Sequence, residues 1–223
     1  MRTKSKSTRV DDAYDRLKAE ILRSALPPGF QAPEPDIAKR LGMSRTPVRE
    51  ALIRLEGEGL VRLIPRRGVR VLGTTAEDLE EVFALLCVLE PMAAAGLAER
   101  NLAAKYLEDL ESFVQEMEVK IASSDLAGFA QSKIAFDRFL IALNGNQRME
   151  RIVRKLQDQI MRARTVLLHL RSAPVCSVQD HRDLLAAIVS GDPQRAHALS
   201  EDCHSRELDA FRELFAASKL SHI

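Results

Sequence analysis

The sequence predicts a mostly α protein in two parts, three short helices with a β-hairpin and then an all-helical bundle. Three observations carry this. Apolar residues recur at helical spacing through most of the 223 residues. The β-like runs are confined to residues 60–72. Charge divides at the same place: residues 1–73 hold 16 Lys/Arg and 9 Asp/Glu, net +7, and the remainder holds 17 and 23, net −6, within an overall +1. A basic module that meets an anion is thus joined to an acidic module with another task.

The segment MRTKSKSTRV is basic and has no apolar run behind it, so it reads as a disordered basic arm over residues 1–9 rather than a secretory signal. Residues 10–73 form the first folded part. Val10, Ala13, Tyr14, Leu17, Ile21 and Leu22 make one face of a helix reaching toward Leu26, stopped by Pro27-Pro28-Gly29. A second helix runs from about Glu34 to Leu41 and ends at Gly42. Ser44 is placed to N-cap a third, running to about Glu58 with Val48, Leu52 and Leu55 inward. Leu60–Ile64 and Val69–Leu72 then flank the turn Pro65-Arg66-Arg67-Gly68 as a hairpin. Three small helices and a hairpin make a winged helix-turn-helix.

Residues 74–223 form the second part. Thr74 with Glu77, or Thr75 with Asp78, offers a capping box. Helices are predicted over 75–100, 104–122, 125–144, 146–171, 177–190 and 193–217, separated by breaks such as Asn144-Gly145-Asn146 and Gly191-Asp192-Pro193. Cys87, Cys176 and Cys203 are too few and too scattered for a disulfide framework or a CxxC site, so a reducing cytoplasm is expected. Apolar runs such as Val82–Leu89 fall short of the ~18–20 residues that span a bilayer, so no membrane partner is expected.

Arg45 and Arg49 are i, i+4 neighbours in the first two turns of the third helix. From a helix end in the major groove they can reach guanine edges or phosphates, and Thr46 suits a phosphate oxygen. Arg66 and Arg67 occupy the wing tip, where Gly68 lets the turn approach a groove. Glu50 and Arg54 are spaced for a surface ion pair, so Arg54 is given no role. The run Ser44-Arg45-Thr46-Pro47-Val48-Arg49-Glu50-Ala51-Leu52, with Gly42 before it and Pro65–Val71 after it, resembles the signature of the GntR family of bacterial transcription regulators. The resemblance covers most of residues 10–72 and implies sequence-specific binding of double-stranded operator DNA. Relatives place an Arg after the Glu of the second helix. Here Pro35 follows Glu34, and Lys39 or Arg40 is the replacement phosphate contact.

The all-helical second part resembles the FadR-type effector domain, FCD, over residues 75–217. That resemblance implies a homodimer and a small-molecule effector, a small organic acid or related metabolite. Family members often hold a divalent metal through an Asp and three His. Here the corresponding positions are Lys133, Asp137, His181 and Cys203, with His204 one residue off, and Leu86 stands where the family has an arginine that pairs effector carboxylates. Lys133 interrupts the stripe of Phe129, Phe136, Leu140 and Leu143 with Asp137 one turn on, His181 opens the stripe of Leu184, Leu185 and Ile188, and Cys203 follows Ala196 and Leu199, so all four are expected to point into one cavity. An inward lysine needs a partner, and Asp137 is the obvious one. Asp137, His181 and Cys203 are left as ligands for zinc or nickel, against a repelling ammonium in the fourth place. The alternative is a Lys–Asp pair lining a cavity beside a satisfied histidine.

These features predict a dimeric, effector-modulated transcription regulator, a repressor by family default, and not an enzyme. A metal-dependent enzyme is the rival, without a Ser/His/Asp set, HExxH or phosphate loop to support it. A nonspecific architectural DNA binder is a second rival and would leave the helical part without a task.

Overall fold

The computed structural model describes residues 8–100, 102–171 and 173–218. Contacts divide the chain into two compact units, meeting at Thr74 and Thr75. The expected arm lies outside the described residues up to residue 7. Residues 8 and 9 instead open α1 (Arg9–Leu22): Thr8 accepts from Asp11 N, and the Asp11 carboxylate accepts from Thr8 N. The helix stops at Leu22, short of the predicted end, because Ser24 turns the backbone to a φ of 58°. Leu26 is buried all the same.

Helix α2 (Glu34–Leu41) ends at Gly42 in the left-handed region. Helix α3 (Arg45–Gly57) has Ser44 at its N-cap position, but the serine side chain makes no capping hydrogen bond. Ala13, Leu17 and Ile21 of α1 share a core with Ile37, Leu41, Val48, Leu52 and Leu55.

The predicted hairpin is one strand short. A two-residue strand β1 (Gln31–Ala32) joins β2 (Val61–Ile64) and β3 (Gly68–Val71) in the order β1-β3-β2, all antiparallel. Ala32 and Leu63 both face Val69 across the sheet. Two residues are too few to show a period of two, which hides β1 in the sequence. Gly68 has a φ of 91°, and a Cβ there would stand 2.1 Å from the Ala32 carbonyl oxygen. Glycine is therefore required for β1 to close onto β3.

The second unit contains α4 (Ala76–Ala98), α5 (Ala104–Ala122), α6 (Leu126–Leu143), α7 (Gln147–Arg171), α8 (Val178–Val189) and α9 (Pro193–Ser218). Thr75 and Asp78 form the capping box of α4, the later of the two predicted. Ser177 and Asp180 form another on α8. Helix α4 is central. Phe83, Leu86, Ala93, Ala94 and Leu97 are fully buried, and it packs most extensively on α9. By length and composition α4 could cross a membrane, but half of its apolar stretch is buried inside the protein, and Glu90 and Pro91 interrupt it. It is built as a core helix.

Candidate functional site

The first unit presents its arginines from two elements. Arg45, Thr46 and Arg49 are exposed on the opening turns of α3. With Arg66 they border one open groove between α3 and the wing. At the wing tip Arg67 N donates to Ile64 O at 2.9 Å, with Pro65 and Arg66 between them. Arg66 has a φ of 62° at the turn position where glycine or asparagine is usual, so a charged residue is held in a disfavoured backbone conformation. Arg66 and Arg67 are both exposed. Lys39 and Arg40 end α2, but Arg40 Nε donates to Glu20 Oε2 at 2.7 Å. Its charge is already engaged within the protein.

Arg54 differs from expectation. It donates to Asp11 Oδ1 at 2.9 Å rather than pairing with Glu50, and its guanidinium lies 4.0 Å from the centre of the Tyr14 ring. Tyr14 Oη in turn donates to Glu58 at 2.6 Å, and Lys18 Nζ donates to the same carboxylate at 2.7 Å. These contacts clamp α1 along α3 and fix the helix that carries Arg45 and Arg49.

The second unit holds a buried polar cluster. A cavity of about 410 Å³, its mouth included, is bordered by Lys133, Asp137, His181 and Cys203. The expected convergence of these four is thus found. Lys133 Nζ donates to Asp137 Oδ2 at 2.8 Å, and both residues are buried. Burial alone would discharge both, but the partner's charge, the hydrogen bond between them and further charges nearby (Glu207 for the lysine, Arg164 for the aspartate) together outweigh it, raising the lysine pKa and lowering that of the aspartate. The His181 ring meets Phe136 edge-on, and its Nδ1 stands 2.7 Å from Ser177 O. A carbonyl can only accept, so Nδ1 carries the proton and Nε2 presents a lone pair. Burial, then the Lys133 charge, lower the His181 pKa, so this ring is neutral.

Four participants, Glu90, Gln157, Arg164 and Glu207, were missed in the sequence, and His204, expected only as one residue off the register, joins them. His204 Nδ1 lies 2.7 Å from Ser200 O and its Nε2 lies 2.9 Å from Glu90 Oε2. Both ring nitrogens face acceptors, which suits an imidazolium. Burial opposes that charge, but the Glu90 carboxylate and the hydrogen bonds to Glu90 and Ser200 together outweigh it and raise the pKa. Gln157 Nε2 donates to the other Glu90 oxygen at 3.0 Å. Arg164 grips Glu207 through Nε and Nη2, at 2.7 and 2.9 Å, in a pair buried on both sides.

Cys203 differs from expectation more sharply. It forms a disulfide with Cys176 and offers no thiolate. The proposed metal set therefore does not fit. Its sulfur is oxidised, Asp137 is occupied by an ammonium, and no three His, Cys, Asp or Glu side chains converge as a metal site among the described residues. The arginine-less position also has a packing reason, since Leu86 is fully buried in the core.

Two family models cover the two units. The gntR family of bacterial regulatory proteins matches residues 9–71, and the FCD domain matches residues 81–205, more than half of the chain. An uncharacterized HTH-type transcriptional regulator from the TAR-I ttuE-ttuC' intergenic region of Agrobacterium vitis is 36% identical over 140 residues, covering 62% of this chain and 82% of that protein. A probable D-xylose utilization operon transcriptional repressor of Paenarthrobacter nicotinovorans is 28% identical over 200 residues, covering 88% and 86%. The solved structure of Escherichia coli McbR/YncC shares the fold, with a TM-score of 0.80 over 93% of this chain and 99% of that one at 21% identity. The chain therefore belongs to the GntR family of bacterial regulatory proteins, in the branch with an FCD domain, and is a DNA-binding transcription regulator.

Proposed function

We propose that the protein is a cytoplasmic repressor that binds a two-fold operator as a homodimer and is modulated by a small molecule in its C-terminal unit. The observation that carries the DNA part is the shared groove of Arg45, Thr46, Arg49 and Arg66. Arg45 and Arg49 read base edges or adjacent phosphates, and Ser44 and Thr46 serve phosphate oxygens beside the α3 N-terminus. Arg66, Arg67 and Lys39 contact the backbone. Arg40 and Gly68 support these elements through Glu20 and β1. A repressor among the relatives, that of the D-xylose operon, supports the sign of regulation.

A second copy is the occupant proposed for the outer face of α4. Leu85, Val88 and Met92 are exposed there in one helical stripe, opposite the face that packs inside. One winged helix reads too few base pairs for useful specificity, and a dimer matches a two-fold operator. The effector is assigned to the cavity of Lys133, Asp137 and His181, with the Cys203 sulfur as part of its wall.

Gel-shift titration against operator and random DNA tests the main reading. Arg49→Ala should cost about 1–3 kcal/mol of specific affinity. Unchanged operator binding by that variant would remove the assignment. Sedimentation should give twice the chain mass at micromolar concentration, and a strict monomer with and without DNA would refute the dimer.

A further inference from the structure

The Cys176–Cys203 disulfide joins the connection between α7 and α8 to α9 across a sequence separation of 27. Disulfides staple small secreted domains that cannot build a sufficient core, whereas in a cytoplasmic protein they are usually transient, catalytic or redox-sensing. The second unit has a core of its own, in which Phe83, Leu86, Phe136 and Phe211 are fully buried. A unit of that size does not depend on a staple to fold, so the bridge has another use.

The bridge is flanked in sequence by the residues that hold the two histidines of the buried cluster. Cys176 precedes Ser177, which N-caps α8 and whose carbonyl accepts from His181 Nδ1 at 2.7 Å. Cys203 precedes His204, whose ring pairs with Glu90 of α4. The connection is otherwise tied to α9 through Arg206, whose Nη1 donates to Val175 O at 3.0 Å and whose Nη2 donates to Asp180 Oδ1 at 2.8 Å. The Arg206 and Asp180 side chains are 39% and 30% exposed, and an ion pair in contact with water holds little by itself. With the bridge open, the start of α8 rests on these contacts and on its own capping box. Ala173 is exposed and Pro174 and Val175 are half-buried, so brief local openings of this connection bring the sulfurs to solvent.

We propose that Cys176 and Cys203 are a reversible thiol–disulfide switch, exchanged with low-molecular-weight thiols of the glutathione class, that fastens or frees the start of α8 and with it His181. A thiolate of the reductant attacks the sulfur of Cys203, the less buried residue of the two. The S–S bond breaks, and Cys176 leaves as a thiolate that takes up a proton. A second reductant thiolate attacks the reductant's sulfur in the mixed disulfide and releases the Cys203 thiolate, which is protonated in turn. Two thiols of the reductant are thereby oxidised to one disulfide, and the protein disulfide is reduced to two thiols. The oxidised reagent drives the reverse exchange. The switch takes its setting from the cytoplasmic reading and adds a covalent control to the His181 cavity proposed for the effector. Its test uses neither DNA nor effector, and so stands or falls apart from both.

The full chain carrying Cys87→Ala, which removes the third thiol, is equilibrated without denaturant in buffers of reduced and of oxidised glutathione. Alkylation followed by peptide mass analysis counts free Cys176 and Cys203. Both should become thiols under reduced glutathione while circular dichroism shows a folded chain, and the bridge should re-form on return to oxidised glutathione. Amide hydrogen exchange over residues 175–181 should be at least about tenfold faster in the reduced form, with α1, α2 and α3 unchanged. Adding Cys176→Ala, a small apolar replacement at a buried position, should give the fast exchange in both buffers. A bridge that opens only when the chain unfolds, a bridge that does not re-form, equal exchange in the two forms, or a difference that survives Cys176→Ala would each overturn the proposal.

Discussion

Removing the Asp137 carboxylate should expose how much the interior depends on ion pairing. In Asp137→Ala the Lys133 ammonium stays buried without its 2.8 Å partner. Breaking a buried pair from one side costs about 3–5 kcal/mol. The lysine has one escape, which is to lose its proton. Against an ordinary pKa of 10.5, discharge at pH 7 costs about 5 kcal/mol, at about 1.4 kcal/mol per pH unit. The two routes are thus comparable near neutrality. In the variant the folded lysine holds its proton less tightly than the unfolded one, so the unfolded state binds more protons and stability rises with pH. The penalty should shrink toward about 2 kcal/mol near pH 9. For a unit of this size the loss at pH 7 corresponds to a fall in Tm of roughly 6–20 °C. Thermal unfolding followed by helix circular dichroism at several pH values reads both effects. Lys133→Met/Asp137→Leu should restore most of the loss. A penalty below about 1 kcal/mol, or one independent of pH, would refute the claim that the ammonium is charged and dependent on Asp137.

Other predictions concern separate features. His204 is held charged by Glu90, so its pKa lies above the ordinary 6.5. The contribution is full below that value and fades as pH rises through the raised one, so His204→Gln should destabilise more near about pH 6 than near about pH 9 in thermal melts. Arg66→Gly relaxes a left-handed backbone and should stabilise the first unit by up to about 1 kcal/mol. The same change should weaken operator binding and flatten its salt dependence by about one phosphate contact. Thiol titration should find one free cysteine, Cys87, in the unreduced chain and three after reduction. Opening the bridge, which spans a sequence separation of 27, should cost about 3 kcal/mol of stability.

Much of the architecture was legible because it is local. Each long helix ends within two residues of its expected bounds, since caps and breaks are written in adjacent residues. The same logic located Lys133, which interrupts an apolar stripe, and His181, which opens one. It could also have found Arg164, which sits within the buried series Ile160, Ala163 and Leu167, and Glu90, which lies between Leu86 and Ala93. What it could not supply was the partner. Arg164 and Glu207 are 43 residues apart, and His204 and Glu90 are 114 apart. No spacing rule links such positions. The disulfide was missed for the same reason. Of the two ion pairs assigned locally, Lys133 with Asp137 formed, whereas Glu50 with Arg54 lost to Asp11 and Tyr14, because a tertiary neighbour offered both a carboxylate and an aromatic face.

The pairing of α4 with α9 has a consequence during synthesis. The ribosome completes α4 about 100 residues before the helix that covers most of it, a delay of roughly 5–20 s at ~5–20 residues per second. Through that interval the nascent chain displays an apolar helix long enough to be mistaken for a membrane anchor. Glu90 and Pro91 lie within this stretch, a charge and a helix breaker of the kind that guards exposed apolar segments against wrong capture. The guard is then absorbed: when α9 arrives, His204 takes up the Glu90 carboxylate, and the residue that protected the unfinished chain becomes an anchor of the finished one.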